Sequence, residues 1–149
     1  MINDDLKLRG DVAIVLKDKD GKVKESREIN NLVVSAGLTY ICSRMADASA
    51  GVMSHMALGS GTTAAAAGDT DLESILGSRE ALDSTTASSN TIAYVSSFEA
   101  GEGTGAVTEA GIFNAASGGD MLCRTVFSVV NKEADDTMSV TWTITLTAS

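Results

Sequence analysis

The chain has no proline, one histidine, one tryptophan, two tyrosines and three phenylalanines among its 149 residues. Without proline, turns fall to Gly, Asn, Asp and Ser, the residues from which tight β-hairpins are built. With so few aromatics, the core must rest on Val, Ile, Leu, Met and Ala, which suits thin sheets better than a deep ligand pocket. Any Ser-His-Asp triad would have to use His55, which sits in Met53-Ser54-His55-Met56 with no G-x-S-x-G elbow anywhere in the chain. A half-buried strand position is the expected place for it. The two cysteines, Cys42 and Cys123, stand too far apart for a zinc or C-x-x-C redox motif. They are expected as buried free thiols, with a bridge inside or between subunits left open. No apolar run reaches the ~20 residues of a membrane helix. The start, Met1-Ile2-Asn3-Asp4-Asp5, lacks the apolar stretch of a secretory signal. Synthesis in a cytoplasm, with no membrane partner, is the expectation.

Basic residues are also few: 11 against 20 acidic ones, a net charge of −9. Such a surface repels phosphate backbones, and no Lys/Arg cluster with interleaved aromatics offsets it, so no direct nucleic-acid partner is expected. Asp18-Lys19-Asp20-Gly21 has the start of a calcium loop, but the Glu required six residues past the Gly is Arg27. Gly59-Ser60-Gly61 and Ala100–Gly105 lack the Lys of a P-loop and the spacing of G-x-G-x-x-G, and read as plain loops. Glu102 and Glu109 are acids of the kind a glycosidase pairs, yet two among 20 acids are no signal for that chemistry. A salt bridge or a solvated face is the ordinary role for Glu109. These readings name no catalytic residue, metal or cofactor.

What the sequence does contain is alternation. Val12, Ile14 and Leu16 share one parity between Leu8 and Lys17, Asp20-Gly21 reverses the chain, and Val23 to Ile29 returns as a more polar strand closed by Asn30-Asn31. Leu38, Ile41, Cys42 and Met45 lie at i, i+3, i+4 and i+7, which predicts an amphipathic helix over about 35–46 with Ser35 as N-cap and this stripe against a sheet. Met53 to Leu58 reads as a short strand. Thr70 and Glu73 fit a capping box, predicting a short helix over about 71–76. Arg79–Ser84 and Thr91–Phe98 read as a strand pair. Val107–Asn114 and Met121–Phe127 form a hairpin around Ser117-Gly118-Gly119-Asp120. In the last strand Met138, Val140, Trp142, Ile144 and Leu146 alternate with Ser and Thr, which predicts a buried Trp142. Together these imply one mainly-β domain over 1–149, an antiparallel sandwich or barrel-like sheet carrying the helix. Residues 1–8 are too polar for a core and read as an interface arm carrying Ile2, Leu6 and Leu8, or else as a frayed end.

The hairpin at 107–127, with His55-Met56-Ala57-Leu58-Gly59-Ser60-Gly61-Thr62-Thr63, Gly68-Asp69-Thr70, Leu72-Glu73 and the strand at Val140–Leu146, resembles segments of tailed-bacteriophage virion structural proteins. The N-terminal strand pair and Asn30-Asn31-Leu32-Val33-Val34 before a helix share that likeness. It covers roughly the C-terminal two thirds of the chain. The resemblance implies a capsid decoration (cement) protein on the outside of the head, or a neck, collar or tail-fibre attachment module. It implies the major capsid protein or other virion proteins as partners, and a homo-oligomer, with a trimer suited to local threefold positions. It carries no catalytic residue. The chain has neither heptads nor solenoid repeats, which favours decoration over a fibre shaft.

Overall fold

The computed structural model describes residues 5–47 and 50–148. Nine strands and one helix follow in the order β1 (Leu6–Lys17), β2 (Val23–Val33), α1 (Ser35–Met45), β3 (His55–Gly59), β4 (Glu80–Ala81), β5 (Ser84–Ser88), β6 (Thr91–Phe98), β7 (Gly105–Phe113), β8 (Met121–Lys132) and β9 (Thr137–Ala148). All pairings are antiparallel, in the spatial order β4-β3-β7-β8-β2-β1-β9-β6-β5, and the sheet curls into a half-barrel. This is the mainly-β, barrel-like architecture with one helix expected from the alternation.

Period-two patterning places the strands. Val12, Ile14 and Leu16 of β1 and Met138, Val140, Trp142 and Ile144 of β9 all point into the core, and β1 lies against β9 with Val12 opposite Trp142. Trp142 is fully buried, as its parity predicted. Its indole N–H has no hydrogen-bond partner among the described residues. The Asp20-Gly21 turn forms as read. Asp18 Oδ1 accepts from the Asp20 and Lys22 amides, each at 2.9 Å, and Gly21 takes φ +80°. Gly118 and Gly119 likewise supply positive φ between β7 and β8.

Curling follows from the chain path. Only Leu82 and Asp83 separate β4, at one edge of the sheet, from β5 at the other. The Leu82 amide donates to Ser54 O (2.9 Å) and the Asp83 amide to Val95 O (2.7 Å), tying the two edges together. β2 is the other junction. Its residues Val23–Asn31 pair with β1, whereas Leu32 and Val33 pair with β8 opposite Arg124 and Cys123. Asn30-Asn31 therefore does not close the strand as expected. The strand runs through it and changes partner.

Three further expectations are corrected. Helix α1 has the expected extent, but Val34 is its N-cap, with no side-chain cap; the Ser35 amide instead donates to Ala67 O at 2.7 Å. The helix packs through Gly37 and Tyr40; of the stripe of Leu38, Ile41, Cys42 and Met45, Ile41 is partly buried against the core, whereas the other three are exposed. A Cβ on Gly37 would lie 2.3 Å from Leu122 O, so only glycine allows this close approach of helix to sheet. Leu38 and Met45 are 49% and 82% exposed, and Cys42 is exposed as well, against expectation. Finally, no helix forms over 71–76. Glu73 does not cap back onto Thr70. Its carboxylate accepts from the Thr63 amide (3.0 Å), and Ile75 bridges to Gly59.

Candidate functional site

A well-connected polar cluster among the described residues surrounds Glu109 of β7 and Arg124 of β8, which are 0% and 2% exposed. The hairpin register places Arg124 opposite Gly111, one same-face step from Glu109. Arg124 Nε and Nη2 both lie 2.9 Å from Glu109 Oε2. Nη1 donates to Asp69 Oδ2 at 2.8 Å and Nη2 to Thr63 O at 3.0 Å. Glu109 in turn accepts three backbone amides. Oε1 takes those of Gly61 (3.0 Å) and Ser74 (2.8 Å), and Oε2 takes that of Glu73 (3.1 Å). Cβ atoms on Gly59 and Gly61 would fall 2.5 and 2.6 Å from Glu109 Oε1, so these glycines let the backbone reach the carboxylate. They do so for the protein's own anion rather than for a phosphate.

The result is a clasp that pins the loop between β3 and β4 onto the β7-β8 hairpin. Thr108 adds a hydrogen bond from Oγ1 to Gly61 O at 2.7 Å. Arg79 stacks over the Phe113 ring, 3.6 Å from its centroid, and Nη1 donates to Ala115 O and Gly118 O, bracing the hairpin turn. The Ala66 amide and, after it, Arg124 hold the Asp69 carboxyl below its ordinary value. Burial works against a charge on Arg124, but Glu109 and Asp69 outweigh it and raise its pKa. Chemically, this arrangement fixes backbone: every group in it is already held by another.

A second cluster sits at the start of β9. The Lys132 ammonium is buried and donates to Glu99 O (2.9 Å) and Asp136 O (2.7 Å). Burial pushes its pKa down. Asp136 accepts from Lys24 at 2.7 Å, which joins β2 to this turn and lowers the Asp136 pKa.

The residues weighed from sequence fall as follows. His55 is half-buried in β3, with Ser54 Oγ 2.8 Å from Nδ1; among the described residues no carboxylate bonds the ring. Glu102 accepts from the Glu99 amide (2.8 Å) within its own turn and is not brought to Glu109. Cys42 and Cys123 are both free, and burial pushes the Cys123 thiol up to about 12. No cluster of three or more metal-ligating side chains occurs among the described residues, and no helix there is long and apolar enough to cross a membrane. Of the arm residues, Leu6 and Leu8 extend β1 opposite Ala148 and Leu146. Leu8 packs on the core and Leu6 is 67% exposed, while Ile2 lies outside the described residues. Arg124 and Asp69 were not singled out from sequence. The available signal was Glu109 and Arg124, one acid and one base, each isolated within an apolar strand of the same hairpin.

Beside α1 lies an apolar groove of about 560 Å³, walled by Ile41, Met45 and Val52 and floored by Tyr94, Ile144 and Leu146. Burial raises the Tyr94 phenol to about 12.

Fold and clasp together define a mainly-β, barrel-like protein with one helix packed on a curled antiparallel sheet. No protein-family model, curated protein or solved structure matches the chain.

Proposed function

We propose that this chain is a structural protein of a tailed-phage particle, a capsid decoration protein held on the outer surface of the assembled shell. The observation that carries the reading is spatial. The segments whose wording resembles phage virion proteins, 55–63, 68–70, 72–73 and 107–127, are separate in sequence yet meet around Glu109 and Arg124. The likeness therefore falls on one folding unit rather than on scattered loops. The partner is the major capsid protein. A subunit that binds only the finished lattice stabilises it by mass action, and simultaneous engagement of neighbours multiplies weak contacts. The net charge of −9 suits a place outside the shell, away from packaged DNA.

In this reading the segment 1–8 contacts a neighbouring subunit, and among its described residues Leu6, 67% exposed at the start of β1, is the apolar contact. The test is to image particles with and without the chain and to count copies by mass spectrometry. Many copies over the head, with loss of surface density and heat-fragile heads on deletion, are expected. A few copies at one vertex would move the chain to the neck or tail, and absence from finished particles would end the proposal. Removal of residues 1–7 is expected to weaken capsid binding, and unchanged binding would remove the arm.

A further inference from the structure

We infer that the core holds an internal water site where β2 leaves β1, shared by the Asn31 amide and the Trp142 indole, independently of the virion reading. The first ground is a set of orphaned polar atoms. Among the described residues, the buried side-chain nitrogens and oxygens without a hydrogen-bond partner are Asn31 Nδ2, Asn31 Oδ1 and Trp142 Nε1. Trp142 is 0% exposed. Buried polar groups in folded proteins are satisfied by protein or by ordered water, because an unpaired one loses its hydration and gains nothing in return. The buried Cys123 thiol stands beside the Asn31 amide, but a thiol is a weak partner for two N–H donors and two carbonyl lone pairs.

The second ground is position. Asn31 lies opposite Gly10 and Trp142 opposite Val12, so the two flank β1 from either side, one same-face step apart. Gly10 and Val12 are both buried, and a Cβ on Gly10 would fall 1.5 Å from Asn31 Oδ1. The amide is therefore folded across the core face of β1, the side of the sheet on which Trp142 is buried. Asn31 is also the last residue of β2 paired with β1, because Leu32 and Val33 pair with β8. The missing Gly10 side chain makes room for the amide, and the departing strand opens the sheet beside it.

The third ground is chemistry. The indole N–H needs an acceptor, Nδ2 needs acceptors and Oδ1 needs donors. Neither side chain is charged, so an ion would enter without a counter-charge. An apolar ligand would satisfy none of the three atoms. A small neutral molecule that both donates and accepts satisfies them all, and water is that molecule. The site also fixes where β2 changes partner: a one-residue slip of β2 along β1 would turn Asn31 out of the core and abolish it.

The test is water-selective NMR on the isotope-labelled full chain, with no virion protein present, so its outcome leaves the particle reading untouched. The chain has one tryptophan, so the indole N–H signal is unique. Rotating-frame cross-peaks from water to the Trp142 indole and to the Asn31 side-chain amide are expected, with the sign of dipolar contact rather than that of proton exchange. Asn31→Leu is expected to abolish the indole peak while the β1 and β9 amide shifts still report a folded sheet. A wild-type chain lacking the cross-peak at either group would overturn the inference, whether or not the variant folds. So would an indole peak that survives in folded Asn31→Leu.

Discussion

The two halves of the curled sheet are held by different physics. Across β5, β6, β9, β1 and β2, the core is hydrocarbon: Val12, Ile14, Val140 and Trp142 interlock across adjacent strands. Across β2, β8, β7, β3 and β4, strands also bury Met56, Leu58 and Ile112, but the loop that covers them is fastened by a buried ion pair and three amides. Hydrocarbon packing is non-directional and tolerates exchange of similar volumes. A buried pair has strict geometry, and losing one member leaves the other charged and unsolvated. The clasp half is thus the more brittle of the two.

The largest expected effect is at the clasp. Arg124→Met leaves Glu109 buried without its counter-ion and costs about 3–5 kcal/mol in denaturant unfolding. Buried pairs can often be replaced by apolar residues with little loss, but here the carboxylate also serves the Gly61, Glu73 and Ser74 amides. Glu109→Leu added to Arg124→Met is therefore expected to recover nothing. Full recovery would reduce the clasp to an ordinary ion pair. In the hydrocarbon half, Ile14→Val removes one methylene and costs about 0.5–1.5 kcal/mol. A loss as large as that of Arg124→Met would erase the contrast.

Acid acts on both halves, through Asp69 in the clasp and Asp136 at the start of β9. The lowered pKa values of Asp69 and Asp136 mean that each binds its proton less readily folded than unfolded. Their stabilisation is present above the unfolded carboxylate value of about 3.9 and is lost as pH falls through the lowered folded values. Stability should drop below about pH 4, and less steeply in Arg124→Met, where the Ala66 amide alone still holds Asp69. The smallest effect concerns the thiols. The exposed Cys42 reacts with a thiol reagent in the folded chain, whereas the buried Cys123 stays inert until the chain unfolds.

The same contrast explains what could be read in advance. β1, β9 and the Asp20-Gly21 turn were legible because period-two burial and turn chemistry are local. Arg124 was not, because its partners Glu109, Asp69 and Thr63 lie 15, 55 and 61 residues away and are chosen by the fold. The helix predicted over 71–76 fails for the same reason: amides that would enter a helix are taken by Glu109. The extent of α1 was legible but its buried face was not, because a stripe read by hydrophobicity ranks Leu38 above Gly37, and close approach to the Leu122 backbone favours the glycine.

Amide hydrogen exchange at Gly61, Glu73 and Ser74 tests the clasp most directly. All three lie in irregular chain, Gly61 buried and Glu73 and Ser74 exposed, and each donates to Glu109. Protection close to that of β7 and β8 amides is expected in the native chain, with its collapse at all three sites together in Arg124→Met. Exchange at ordinary loop rates in the native chain would contradict the view that one buried carboxylate holds this side of the fold shut.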